Sequence, residues 1–252
     1  MYKPVSKTTF IGKNIYYLTS CHSTNDIAAG KVRSGLDENG DVIITGQQTA
    51  GRGMHGNSWE GESGSNFMLS IILKPADLAV SEQFGLSQCV ALGVQRYVHS
   101  VVGERVSIKW PNDIMIGSRK VAGILIENTL RGTSVTNAVV GIGLNMNQKK
   151  FSNPRATSLA LETGALYSLE NELEALLLHI EECYGYLATL PAGELDRLYT
   201  EKMLGLGQVR SFVFNEEYFS GIITGVTRSG RLKVATTDGE KEFEVKEIAW
   251  VW

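Results

Sequence analysis

Several things are scarce in this sequence, and each scarcity excludes a class. Among 252 residues there are three cysteines, Cys21, Cys89 and Cys183, widely spaced and odd in number. They form neither a disulfide framework nor a zinc-ligand spacing, which points to reduced thiols. No stretch approaches the roughly 18 consecutive apolar residues of a membrane span. The N-terminus, M-Y-K-P-V-S-K-T-T-F-I-G, has no apolar signal core. Charge of one sign is also missing: 24 basic residues face 27 acidic ones, a net −3, with no Lys/Arg run. No overall field therefore favours nucleic acid or an anionic membrane. Internal repeats, low-complexity tracts and coiled-coil heptads are absent too. A soluble, cytoplasmic protein without membrane attachment is expected.

What remains is ordinary globular material, 43% hydrophobic, 8% aromatic and 20% charged. That is enough for a proper core, in one large domain or a medium domain with a small appendix. Strand-like runs occur at Asn14–Leu18, Asp41–Gly46, Phe67–Leu73, Val106–Lys109, Ile114–Ile116, Val121–Glu127 and Asn137–Leu144. Helical spacing marks Asp26–Val32, Ser81–Val101 (with Ser81 as cap), Ser168–Leu190 and, after the break at Pro191, Gly193–Leu204. From Gln208 to Trp252 five short β runs with tight turns at Arg228–Arg231 and Thr237–Gly239 predict a small barrel. A boundary near Gly205–Gly207 divides the chain into 1–204 and 205–252.

The stretch Gln48–Asn66 stands out. It separates two strands that a short turn could join, yet it is long and polar and holds five glycines, one arginine and one tryptophan. Glycines bring backbone N–H groups close to an anion, Arg52 adds a cationic fork, and Trp59 can stack on a purine. Read alone, the stretch is a flap over a phosphate- and base-bearing ligand or a flexible surface hairpin. Other polar groups fall at strand ends: Ser23, Thr24 and Asn25, then Asn112 and Asp113 after Pro111, then Lys120 and Asn145. Ser23–Asn25 read first as helix N-caps, and otherwise as groups that bind a small carbonyl or urea. Lys120 is either an exposed hairpin lysine or a site cation. Asp113 is either a turn residue or a carboxylate for Mg2+, which accompanies ATP. Two glycines inside Asn137–Leu144 point to close approach by a ligand or another backbone.

Taken in order, S-T-N at Ser23–Asn25, Q-T-A-G-R-G at Gln48–Gly53, W at Trp59, K-W-P-N-D at Lys109–Asp113, R-K-V-A-G-I-L-I-E at Arg119–Glu127 and G-I-G-L-N at Gly141–Asn145 resemble the biotin protein ligases. The resemblance covers about Asn14 to Asn147. It implies an α+β catalytic fold of the class II aminoacyl-tRNA-synthetase-like, biotin–lipoate ligase type, with a mixed sheet, plus an SH3-like β-barrel. It implies two half-reactions: biotin and MgATP give biotinoyl-5′-AMP, and a lysine of a biotin carboxyl carrier protein, such as that of acetyl-CoA carboxylase, then takes the biotin. ATP and Mg2+ are implied as substrate and activator, with no permanently bound cofactor.

Carried over by residue, the biotin set is Ser23, Thr24, Asn25, Gln48, Gly51, Arg52, Gly53, Met54, Lys120, Gly123 and Leu125. Within it Ser23, Thr24 and Gln48 would bind the ureido head, and Gly123 and Leu125 would line the pocket. The ATP set is Arg52, Trp59, Asn112, Asp113, Lys120 and Asn145, with Asp113 also the implied Mg2+ ligand. Arg52, Lys120 and Asp113 are the implied catalytic residues.

Two features depart from the family pattern. The flap reads G-R-G-M-H-G-N-S-W from Gly51 to Trp59, with Met54 and Asn57 where basic residues are expected. His55 supplies a cation only when protonated, which is partial near neutral pH. A looser flap, or heavier reliance on Arg52 and Lys120, is expected. In addition, only about a dozen residues precede the first strand, too few for the helix-turn-helix module some members carry. No DNA binding is expected, and a homodimer is left open because family members often pair sheet to sheet.

Rival readings are a lipoate ligase or octanoyl transferase of the same superfamily, and a non-catalytic biotin-binding module. The transferase needs a cysteine nucleophile. Cys21 beside His22 is the candidate pair, but sequence neighbours seldom face each other productively. Retained Arg52, Asp113 and Lys120 argue against the module. His99 and His179 lie within helical patterns and read as packing, as do Trp250 and Trp252.

Overall fold

The computed structural model describes residues 2–252, except the side chain of His55. Largely apolar runs build a seven-stranded sheet ordered β1-β2-β3-β7-β6-β5-β4. Its strands are β1 (Ile15–Leu18), β2 (Val42–Thr45), β3 (Phe67–Leu73), β4 (Val106–Lys109), β5 (Asp113–Ile116), β6 (Arg119–Arg131) and β7 (Ser134–Leu144). Only β1 and β2 run parallel; every other pair is antiparallel, so the sheet is mixed as expected.

Its two faces differ. Phe67, Leu69, Ile71, Val140, Ile142 and Leu144 share a main core with the long helices α2 (Phe84–Val102) and α4 (Leu169–Tyr184). On the other face, Ile43, Ile72 and Val139 pack against Ala28 of α1 (Thr24–Ser34). Beyond α1 that same face carries Ser70, Gly141, Gly143 and Gly123, in register across β3, β7 and β6. Small residues there leave a hollow that no helix fills.

Three short helices complete this part: α3 (Leu159–Thr163), α5 (Tyr186–Thr189) and α6 (Glu194–Glu201). A second, antiparallel sheet follows, ordered β11-β10-β9-β8-β12, from β8 (Val209–Phe214), β9 (Glu217–Val226), β10 (Leu232–Thr236), β11 (Gly239–Phe243) and β12 (Ile248–Trp250). These are the five expected β runs, arranged as an SH3-like domain requires. The sheet docks through its Arg228–Arg231 turn. Trp110 Nε1 donates to the Gly230 carbonyl at 2.9 Å, and Arg228 pairs with Glu82. The Trp110–Pro111 peptide is cis. Among the described residues no helix is long and apolar enough to cross a membrane.

Element boundaries need correction in four places. α1 begins at Thr24, so Thr24 and Asn25 lie inside it; Ser23 is the N-cap, without a side-chain cap bond. Val80–Glu82 forms a separate 3-10 turn and α2 starts at Phe84, leaving Ser81 uncapping. β6 and β7 continue to a turn around Gly132, because polar residues such as Asn128 and Thr129 still complete ladder bonds at a half-exposed edge. The expected helix Ser168–Leu190 is interrupted at Gly185, and the short α3 was not anticipated.

Candidate active site

The hollow over the glycine floor is a cavity. It is walled by the start of α1, by Gln48 and the flap, by the β5 entrance and by β6 and β7. Ser23, Thr24, Asn25, Gln48, Arg52, Gly53, Met54, Trp59, Asn112, Asp113, Lys120, Gly123 and Leu125 all line it, so most residues singled out from sequence converge there. Gly51 and Asn145 are not among its lining residues.

One wall is a hydrogen-bonded chain. Gln48 Oε1 accepts from the Thr24 backbone N–H at 2.7 Å and lies 3.2 Å from Thr24 Oγ1. Ser70 Oγ lies 2.7 Å from Thr24 Oγ1 and 2.6 Å from Asn25 Oδ1. Asn25 Nδ2 donates to Glu127 Oε2 at 2.7 Å. Buried polar groups held this way keep single orientations. Ser23 is buried. Gly141 is needed for this wall: a Cβ there would collide with the Asn25 amide.

The flap folds as a miniature hairpin rather than an open loop. Arg52 bridges to Ser58, Gly53 N–H donates to Asn57 O at 2.7 Å, and Trp59 N–H donates to Gly51 O at 2.9 Å. Met54–Gly56 forms its 3-10 tip. Gly51 must be bare, because a Cβ would stand 2.7 Å from the Trp59 carbonyl. Trp59 turns its indole inward over Gly143 and Gly123, the latter leaving only 3.0 Å for a Cβ. The close approach expected over the strand glycines is therefore made by this indole and by Asn25. The indole N–H is buried without a partner. Arg52 does not reach into open space: its Nη2 lies 2.8 Å from Asp26 Oδ1 and 2.9 Å from Glu127 Oε2.

The opposite wall carries the charge. Lys120 Nζ pairs with Asp113 Oδ1 at 2.5 Å, and Lys109 Nζ lies 3.7 Å from Asp113 Oδ2. Lys109 has its pKa lowered, first by desolvation, then by Lys120 and Arg155, against an opposing pull from Asp113. Asn112 is held by β6: its Nδ2 donates to the Ile124 carbonyl at 2.6 Å. Asn145 is 3% exposed; its Nδ2 donates to Thr157 O at 2.9 Å, while its Oδ1 has no partner. Asp113 is the one carboxylate among the lining residues, and no cluster of metal-ligating side chains occurs among the described residues. A single carboxylate fits Mg2+ that arrives on a polyphosphate and keeps several waters.

Sequence reasoning missed Asp26, Glu127 and Ser70. Ser70 left a signal, as the one hydroxyl in the apolar run Phe67–Leu73. Glu127 showed only as the end of the Arg119–Glu127 motif, and Asp26 gave no signal, because ion pairs on exposed helix positions are common. Cys21 lies outside the cavity lining, and burial raises its thiol pKa, which disfavours the thiolate a transferase needs.

Comparison with known proteins agrees with this geometry. The model of the biotin/lipoate A/B protein ligase family matches residues 17–145. A bifunctional ligase/repressor of Bacillus spizizenii is 29% identical over 96% of this chain and 75% of its own length. A biotin–[acetyl-CoA-carboxylase] ligase of Paracoccus denitrificans is 29% identical over 92% of this chain and 98% of its own. Among solved structures, the Aquifex aeolicus biotin protein ligase in complex with biotin and ATP superposes with a TM-score of 0.77. It is 26% identical, with 94% of this chain and 98% of that one covered.

Proposed function

Because the chain belongs to the biotin/lipoate A/B protein ligase family, we propose that it is a biotin–protein ligase. It activates biotin with ATP to biotinoyl-5′-AMP and transfers the biotin to a lysine of a carboxyl carrier protein. The observation that carries this reading is the convergence of the flap, the Ser23–Asn25 turn, Asp113 and Lys120 on one cavity.

In the proposed arrangement Ser23, Thr24 and Gln48 hold the ureido head of biotin, beside the Asn25–Ser70 bond, and Gly123 and Leu125 line the pocket. The backbone of Arg52, Gly53 and Met54 holds the tail and carboxylate. Trp59 must leave the glycine floor as ligand enters; its unpartnered N–H then finds an acceptor. Asn145 Oδ1, buried without a donor, suits the exocyclic amine of adenine. Asn112 positions the Asp113 strand end beneath the nucleotide. Lys120 leaves Asp113 for the reacting carboxylate and α-phosphate, and Asp113 would hold Mg2+. Mg2+ supplies charge neutralisation of the polyphosphate when bound. The biotin carboxylate oxygen attacks the α-phosphorus, the bond to the β-bridging oxygen breaks, and pyrophosphate leaves with the electron pair. Positioning and preorganised charge do this work, since no covalent nucleophile is needed.

The same reading divides the chain at 204/205 and places the protein in the cytoplasm. It assigns no DNA-binding role. It allows a homodimer through the exposed β1 edge, where Tyr16 and Tyr17 face solvent. Biotin-dependent ATP–pyrophosphate exchange tests the activity. Exchange with biotin and not with lipoate is expected; exchange with lipoate alone, or with neither, overturns the proposal.

A further inference from the structure

Two lysines face one carboxylate of the cavity wall, and an arginine stands beside them. Lys120 and Lys109 both face Asp113, at 2.5 Å and 3.7 Å. Arg155 joins them from the segment after β7. Its carbonyl accepts the Lys120 backbone N–H at 2.7 Å. Among the described residues Arg155 has no carboxylate partner.

Arg155 is instead held by an aromatic ring. Its guanidinium carbon lies 5.0 Å from the Trp252 ring centroid, and Lys109 Nζ lies 5.6 Å from the same ring. Trp252 stacks on Trp250, with centroids 6.0 Å apart and planes 25° from parallel. An indole face attracts a cation without neutralising it. A carboxylate in that place would have cancelled the charge. The C-terminal tryptophan thus fixes two cations while leaving their charge available to an anion.

We infer that Lys109 and Arg155, beside Lys120, seat the β- and γ-phosphates of ATP and the departing pyrophosphate, with Arg155 a direct ligand and Trp252 its positioning residue. This rests on the adenylation reading. As the bond to the β-bridging oxygen breaks, negative charge grows on pyrophosphate, and cations already in place stabilise it without reorganising. The assignment also answers the departure in the flap. Met54 and Asn57 bring no cations from above, and this cluster brings them from the side of the terminal sheet.

The test is biotin-dependent exchange with pyrophosphate and ATP each varied, in wild type, Arg155→Ala, Arg155→Lys, Trp252→Phe and Trp252→Ala. Loss of one charge-assisted contact raises the KM of pyrophosphate and of ATP by about tenfold in Arg155→Ala, and less in Arg155→Lys. Trp252→Ala follows Arg155→Ala, and Trp252→Phe recovers part of the loss. The Kd values of biotin and AMP stay unchanged, as does biotin transfer from supplied biotinoyl-AMP, which bypasses pyrophosphate and reports an intact fold. An unchanged KM for pyrophosphate in Arg155→Ala overturns the inference, as does an equal loss of AMP binding. No biotin-dependent exchange in the wild type would instead overturn the adenylation reading beneath it.

Discussion

Arg52 and Glu127 meet at 2.9 Å between Nη2 and Oε2, joining the flap to the middle of the sheet. The same carboxylate oxygen takes Asn25 Nδ2 at 2.7 Å. One oxygen thus ties the flap to the wall on which the ureido head is proposed to sit. The order of the flap depends on that wall being correctly formed.

Glu127→Gln keeps an acceptor for Asn25 and removes the charge that faces Arg52. The pair is more than a third exposed, so its worth is that of a surface ion pair, about 0.2–1 kcal/mol. Biotinoyl-AMP is expected to dissociate up to about fivefold faster, with biotin affinity nearly unchanged. Stopped-flow release of the adenylate measures this, and an unchanged rate rules out the tie.

Met54→Arg restores a cation at the tip of the flap. Adenylate dissociation is expected to slow relative to wild type, because an added guanidinium can reach phosphate from above. Equal rates in the two proteins would show that the flap is not limited by that missing charge.

Gly143→Ala places a methyl where the Trp59 indole now lies. The ring is forced off the floor, and the floor itself is raised beneath a ligand. Biotin affinity is expected to fall at least about tenfold, as overpacking typically costs about 1–3 kcal/mol. Calorimetric titration reads the affinity, and a thermal melt within a few degrees of wild type confirms that the loss is local.

Lys109 titrates below an ordinary lysine because burial, Lys120 and Arg155 all disfavour its charge. The sign follows directly. For a lysine with a lowered folded pKa, stability rises as pH increases from the folded toward the unfolded value, where the unfolded chain binds more protons. Binding of a polyphosphate runs the other way, because the ligand needs the ammonium. The KM for ATP is therefore expected to climb on the alkaline side earlier than an unperturbed lysine would allow. Lys109→Arg should move that limb to higher pH, and coincident profiles would exclude Lys109 from the phosphate site.

The strands flanking the flap were legible because apolar periodicity and burial coincide there: Phe67–Leu73 is apolar but for Ser70, and every residue is buried. The distal halves of β6 and β7 were not, because polar residues there satisfy ladder bonds without any apolar period. Helix starts also drifted. Ser81 looks like a cap in sequence, but backbone geometry delays α2 to Phe84. For the site, glycines and motif residues announced where the cavity opens. The residues that hold the motif residues in place stayed hidden. Arg155 and Trp252 are far apart in the chain, and only the fold makes them neighbours.

Trp110 sits within K-W-P-N-D, yet its indole N–H ends on Gly230 in a turn of the terminal sheet. Gly230 itself must stay bare, because a Cβ would run into Phe84 at the start of α2. The turn is therefore wedged between helix and motif, two residues ahead of Asn112. Exchanging the terminal sheet between relatives would carry away a splint on the Asn112–Asp113 strand end, so a recombination point at 204/205 is a poor seam for building chimaeras.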